Sequence, residues 1–467
     1  MRCNVLRKFF WMIVACASLL PVSGAFAAPA HPPFPVESFF LDNGMQVVVL
    51  PDHRAAIVTH MVWYRVGAAD EPAGQSGVAH FLEHLLFKRT EKLNPGDFAK
   101  IVARNGGRHN AFTGQDYTGY YQTVAKDRLP LMMALEADRM ANLRLEDEDI
   151  KAERDVILEE RSMRVDGRPS SLLSEEMDAL LFRAHPYGIP VIGWRHEMEA
   201  LSLQDSWAFY KKYYNPANAI LIIAGDVTTA QVRDLAEKYY GPIAGTALPK
   251  RARVQEPPMR GPRRVELADS RVKQPSWRRF YATPSYSAGQ DKELAPALDV
   301  LMDIIAGGTT SRLYRHLVVD QKVAVSVGGW YQGWSFDPAK LALYATPPKA
   351  MEKGGEHGLD LVETQIDLVL NDVKQNGVTE DEVRRAVNKL VAEATYARDS
   401  IDSMAQIFGR GLTTGLSIAD IQGWTARIEA VTPADVQRAA QRIFQPERSV
   451  TGLLLQSANP AMKGEQP

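Results

Sequence analysis

The apolar positions of this chain change their spacing from segment to segment, and each spacing predicts an element. Short apolar runs at Gln46–Leu50 (QVVVL) and Ala56–Val66 (AIVTHMVWYRV) predict two strands, with Asp52 and His53 in the turn between them. From Val78 the period becomes helical: Val78, Phe81, Leu82, Leu85 and Leu86 form one apolar face, and His80, Glu83, His84 and Phe87 recur on another. In Glu146–Val165 (EDEDIKAERDVILEERSMRV), Ile150, Glu153, Ile157 and Glu160 share a helical face at steps of three and four. Glu159 lies about 100° around that helix, alongside Ala152, Asp155 and Ser162, and is expected in solvent.

One pattern occurs twice. Leu201–Pro216 (LSLQDSWAFYKKYYNP) and Val431–Pro446 (VTPADVQRAAQRIFQP) each read as a capping Ser or Thr, an amphipathic helix and an Asn/Gln-Pro stop. An apolar strand follows each, AILIIAGDV from Ala219 and SVTGLLLQ from Ser449. The expected fold class is α+β: two homologous domains, residues 28–244 and 265–456, each an antiparallel-rich sheet packed with helices. The plainer alternative is that helix–turn–strand units resemble one another without duplication. Residues 245–264 (GTALPKRARVQEPPMRGPRR) have no sustained period and read as a linker, and 457–467 as a mobile tail.

Composition narrows the class. The chain has 467 residues, 45% hydrophobic and 24% charged, as expected of a multi-domain globular protein. A net charge of −2 without a long basic block argues against nucleic-acid binding. Residues 1–27 place Arg2, Arg7 and Lys8 before an apolar stretch, then Ala25-Phe26-Ala27, and read as a signal peptide cleaved near Ala27. The apolar stretch is short for a membrane anchor and Pro21 ends it; a lipoprotein would need cleavage at Cys16, but apolar residues continue past it. Both cysteines, Cys3 and Cys16, lie in this leader, so the mature chain is expected to carry no thiol. The expected location is the periplasm or the exterior.

The helical motif His80-x-x-Glu83-His84 brings in chemistry. Histidines one turn apart can aim two imidazoles at one point, and imidazole is a common zinc ligand. Glu83, beside His84, can reach a water held there. A surface helix with incidental polar residues would also accommodate a bare motif of this kind. A catalytic zinc needs a third ligand and an open position. Glu160, on a face shared with isoleucines, is the candidate third ligand. Glu153, two turns earlier and roughly 10 Å along the axis, suits orientation of a histidine or the water. His53, His60, His109 and His185 stand alone beside turns or in strands and are not expected to be ligands.

With these motifs the chain resembles the pitrilysin-type zinc metallopeptidases, the inverzincins that include insulinase-like and mitochondrial-processing-peptidase-like enzymes. GVAHFLEHLLFKRT, NGGRHNAFTGQDYTGYYQTV, AERDVILEER, HPYGIPVIGW and YYNPANAILIIAGDV follow in the family's order, and AGGTTSRLYRHL matches its second half. The resemblance implies a zinc-dependent endopeptidase with one zinc on His80, His84 and Glu160, Glu83 as general base and Glu153 in support. It implies a peptide substrate added as a strand along His109–Tyr121, contacted by Asn110 and Ala111, with Phe87 and Phe112 expected to line side-chain pockets. It also implies two halves forming part of a clamshell chamber. The alternative is a non-catalytic subunit of the same fold, although such subunits typically lose the metal motif retained here.

One departure stands out. Active family members carry, in the second half, an Arg and a Tyr seven residues later that approach the substrate. Aligned on the apolar strand that follows, those positions fall on Val318 and Val325, and Val319 and Lys322 stand seven residues after Arg312 and Arg315; the plainer alternative is a slipped alignment. The expected partner is a homologous subunit that supplies the missing pair.

Overall fold

The computed structural model describes residues 34–247, 250–349 and 356–457; the expected leader and all but Ser457 of the expected tail lie outside them. The first half builds a six-stranded sheet from β1 (Glu37–Phe40), β2 (Gln46–Pro51), β3 (Ile57–Tyr64), β4 (Arg108–Thr113), β5 (Thr118–Ala125) and β6 (Ala219–Gly225), ordered β1-β2-β6-β3-β5-β4. The second half builds a five-stranded sheet from β7 (Arg263–Asp269), β8 (Ser276–Thr283), β9 (Ser326–Tyr331), β10 (Ala339–Thr346) and β11 (Ser449–Gln456), ordered β9-β10-β8-β11-β7.

The two orders superpose. Read from β2, the first sheet runs β2-β6-β3-β5-β4, one parallel pairing followed by three antiparallel ones. Read from β7, the second runs β7-β11-β8-β10-β9 with the same sequence of pairings. A shared order with a shared position for the single parallel pair is what duplication produces. The strand that follows each Asn/Gln-Pro stop, β6 or β11, sits in the interior of its sheet. β6 is apolar throughout because both its faces are covered: Leu221 and Ile223 enter one core cluster, Ile220 and Ile222 another.

The helices do not respect the expected boundaries. Helix α3 (Pro169–Leu181), which belongs in sequence to the first half, lays Leu173, Met177 and Leu181 on the second sheet, against Phe280, Val450 and Leu454. Helix α7 (Ile401–Thr413), from the second half, lays Met404, Ala405 and Phe408 on the first sheet, against Met61, Trp63, Ile220 and Ile222. Each half thus covers one face of the other's sheet. Residues 28–244 and 265–456 are therefore not self-contained folding units, since each would leave an apolar sheet face exposed.

Two glycines permit the exchange. A Cβ on Gly409 of α7 would overlap the Trp63 indole, and one on Gly452 of β11 would overlap Met177 of α3. Alanine is otherwise favoured over glycine inside a helix by about 0.5–1 kcal/mol. Overpacking costs about 1–3 kcal/mol. Gly409→Ala is therefore expected to destabilise the chain by a net ~1–2 kcal/mol, read as a lower denaturant midpoint at unchanged slope. An unchanged or higher midpoint would show that the indole can move aside.

The expected linker is not a free tether. Its described residues form no helix or strand until β7 begins at Arg263, inside the segment expected to be featureless. Arg253 is buried and bonds Asp70 at 2.9 Å, Asp116 at 2.6 Å and Asp337 at 3.0 Å, joining carboxylates from both halves. Arg251 adds an ion pair to Asp70 at 3.3 Å. Removing Arg253 would leave buried carboxylates without their counter-charge, so the strap is held by electrostatics that composition alone does not disclose. Among the described residues no helix is long and apolar enough to cross a membrane.

Candidate metal centre

Helix α1 (Val78–Leu85) carries the H-x-x-E-H motif. Val78, Phe81, Leu82 and Leu85 are fully buried, which fixes the helix against the first sheet and aims His80, Glu83 and His84 the other way. Its N-terminus has no side-chain cap of its own. The half-buried Glu71 accepts hydrogen bonds from the N–H groups of Gly77 (2.9 Å) and Ala79 (2.8 Å) instead. An anion on these otherwise unpaired donors stabilises the helix start. Glu71 was missed by sequence reasoning, because a cap supplied across a loop leaves no local signature.

Helix α2 (Asp147–Arg161) packs on α1 through Ile150 and Ile157, and the same face delivers two carboxylates. Oε2 of Glu160 lies 3.7 Å from Nε2 of His80 and 3.4 Å from Nε2 of His84. Among the described residues, His80, His84 and Glu160 are the one group of three potential ligands that converges, with the donor atoms all within 4.8 Å of one another. Glu160 Oε2 is buried and has no hydrogen-bond donor, while Oε1 pairs with Arg164 at 2.7 Å. A desolvated carboxylate oxygen facing two imidazole nitrogens, without a proton donor, is a fitting environment for a cation. Glu159 is exposed.

Behind His84, Glu153 Oε1 bonds its Nδ1 at 2.7 Å, and Lys88 pairs with the other oxygen of Glu153. This contact fixes the ring and leaves Nε2 pointing at the centre. Thr113, at the end of β4, donates its hydroxyl to Oε2 of Glu83 at 2.6 Å. Lys88, Thr113 and Arg164 were not picked out from the sequence, since nothing in their spacing marks them.

Burial, reinforced by His84 and Arg164, pushes the His80 imidazole down to about 3, so His80 is neutral at physiological pH. Burial pushes the Glu83 carboxyl up, opposed by the Thr113 hydrogen bond and the charge of His84. For Glu153 burial acts upward, but the hydrogen bonds from His84 and Lys88 outweigh it and hold the carboxyl low. For His84 burial acts downward, and the Glu153 hydrogen bond with the nearby carboxylates raises it overall.

The strand β4 is a sheet edge: it pairs with β5 on one side only. Its side chains alternate. His109, Ala111 and Thr113 lie on the α1 side, and Asn110 is exposed. Phe112 turns to the opposite face and packs on Trp63, ring centroids 4.7 Å apart. The period of two therefore places Phe112 on the face of the sheet away from Glu83. Phe87 stays on the α1 side, half-buried between Phe98, His109 and the Arg139 guanidinium.

Three of the other histidines have hydrogen-bond partners of their own. His60 bonds Gln122 and Tyr240, His53 bonds Asp226, and His185 accepts from the Tyr187 N–H. In the second half, Val318 packs against the core and Val325 is 52% exposed, so neither offers a side-chain donor. Arg312 is occupied by Glu382 at 2.7 and 2.8 Å and by Asp372 at 2.9 Å.

Comparison with known proteins gives the family. Residues 46–194 match the insulinase domain of peptidase family M16, and residues 200–390 match the domain described as the M16 inactive domain. An uncharacterised zinc protease of Mycobacterium leprae is 31% identical over 410 residues, 86% of this chain and 88% of that one. The crystal structure of a protease from Helicobacter pylori superposes with a TM-score of 0.82 at 28% identity, covering 91% of this chain and 100% of that one. The periplasmic protease PqqL of Escherichia coli shares the fold at a TM-score of 0.75 and 16% identity; 92% of this chain matches, but only 48% of PqqL. With its fold, its paired domains and a relative above 30% identity, the chain belongs to peptidase family M16.

Proposed function

We propose that this chain is a zinc-dependent endopeptidase, acting on peptides or unfolded segments, with His80, His84 and Glu160 holding one zinc. The observation that carries the reading is the convergence of these three side chains around a Glu160 oxygen that lacks any proton donor. A zinc held by these three side chains would polarise a scissile carbonyl and supply a water acidic enough to act as nucleophile at neutral pH.

The remaining chemistry belongs to the chain. Glu83 receives the proton of the attacking water on its carboxylate and hands it to the departing amine. Thr113 keeps the carboxylate in place. Glu153 and Lys88 orient His84. The free edge of β4 accepts the substrate as an added strand at Asn110 and Ala111, with Phe87 on the same side of the sheet as α1. Export to the periplasm or exterior is part of the proposal, resting on the leader pattern in residues 1–27.

The missing donors at Val318 and Val325 favour a refinement. This chain is the zinc-bearing half of a two-chain clamshell, completed by a homologous subunit. The opposing reading is a non-catalytic subunit, and the description of the second domain as inactive gives it one specific support.

Metal analysis with a peptide-cleavage assay separates the two. The native protein is expected to carry one zinc, and His80→Ala or Glu160→Ala to lose it together with activity. Natively purified protein without metal or cleavage, in the presence of its co-purifying partners, would establish the non-catalytic reading.

A further inference from the structure

The three proposed ligands are not held alike. His84 is oriented from behind by Glu153, whose Oε1 bonds its Nδ1 at 2.7 Å. His80 has no such support: its Nδ1 is buried without a hydrogen-bond partner, and the packing around α1 alone holds the ring. Glu160 is held through its other oxygen, where Oε1 meets Nη1 of Arg164 at 2.7 Å.

Arg164 does not stand on a loose surface segment. It lies in Ser162–Asp166, a turn wound as a π-helix that continues α2 directly. Gly167 closes the wide turn by donating its N–H to the Ser162 carbonyl at 2.7 Å. Single π-turns are uncommon and recur at functional sites. Both ends of this one are anchored. Arg161, buried, pairs with Glu175 of α3 at 2.8 Å and donates to the Gly193 carbonyl at 2.8 Å. Asp166 pairs with Arg195 at 3.1 Å, and its carbonyl accepts from Arg271 of the second half at 2.7 Å. The backbone that carries Arg164 is thus fixed from both halves of the molecule.

We propose, resting on the zinc centre above, that Arg164 is a positioning residue for the metal: it holds Oε1 of Glu160, leaves Oε2 alone to the cation, and so tightens zinc binding. A carboxylate free at both oxygens must be ordered when a metal arrives, whereas one already pinned has less freedom to lose. Offering one oxygen instead of two also keeps coordination space for the water that a catalytic zinc needs.

The guanidinium acts in two opposing ways. Its charge repels a cation; after burial and His84, it is the next influence that depresses the His80 imidazole. However, 67% of the Arg164 side chain is exposed, so water and salt screen that repulsion. The Glu160 side chain is only 14% exposed, and the pair with it is a direct contact. Orientation of a metal ligand by an outer partner is worth about 10–100-fold in metal affinity. Positioning therefore outweighs repulsion. For folding, by contrast, an ion pair with so exposed a cation contributes little.

The test is the zinc affinity of the full mature chain, measured after metal removal by competition with a chromophoric chelator, beside the melting temperature of the metal-free protein. Arg164→Met keeps the aliphatic stem and removes the cation. It is expected to weaken zinc binding about 10–100-fold and to leave the metal-free melting temperature at the native value. One nitrogen makes the contact, so Arg164→Lys is expected to recover most of the loss. Native or tighter zinc binding by Arg164→Met would overturn the proposal, as would a lysine variant no better than the methionine one. A native chain that binds no zinc would remove the centre and the role of Arg164 together. Zinc on the native chain with an indifferent Arg164→Met would remove the role of Arg164 alone.

Discussion

Glu83→Gln is expected to keep its zinc and lose peptide cleavage by about 10²–10⁴-fold, the usual worth of a positioned general base. The substitution preserves shape. A glutamine carbonyl oxygen still accepts the Thr113 hydroxyl, which bonds Glu83 at 2.6 Å in the native chain. The packing of α1 rests on Val78, Phe81, Leu82 and Leu85, none of which is touched. What disappears is the ability to take and return a proton. The three proposed ligands remain, so metal content and thermal stability should match the native protein. Zinc analysis alongside cleavage of a quenched fluorescent peptide measures both. A Glu83→Gln protein of near-native activity would remove Glu83 from the mechanism and force the search for another base.

Much of this site was legible because helices translate spacing into direction. Residues one turn apart share a face, so His80 with His84, and Ile157 with Glu160, disclose which way a side chain points before any fold is known. The choice of Glu160 over Glu159 followed from that rule alone, and Glu159 is indeed in solvent while Glu160 faces the histidines. Strand alternation carries the same kind of information only once one residue is placed: with Thr113 unrecognised as Glu83's partner, nothing fixed which parity of β4 faces α1. Contacts between distant segments left no periodic trace. Lys88 on Glu153, Glu71 on the α1 amides and Arg253 among three carboxylates are each set by tertiary placement. The duplication was visible as a repeated helix–stop–strand unit. The exchange of α3 and α7 between halves was not, because an amphipathic helix shows that it needs an apolar partner without showing which one.

The largest gain in activity is expected from a second protein. Hydrolysis of a peptide bond places negative charge on the carbonyl oxygen, and loss of one donor to such an oxyanion costs about 10²–10³-fold. In this chain the two positions that align with such donors hold Val318, packed against the core, and Val325, an exposed aliphatic side chain. Arg312 cannot substitute while Glu382 and Asp372 hold its guanidinium. A homologous subunit lacking H-x-x-E-H but carrying an Arg and a Tyr seven residues apart would supply both donors. The isolated chain is therefore expected to cleave peptides weakly, and addition of that subunit to raise the rate by at least about 10²-fold, the worth of a single donor. Purification from the native source, identification of the associated chain by mass spectrometry and reconstitution from the separate subunits test this directly. Full activity from the chain alone, as monomer or homodimer, would refute the partner while leaving the proposed zinc centre as it stands.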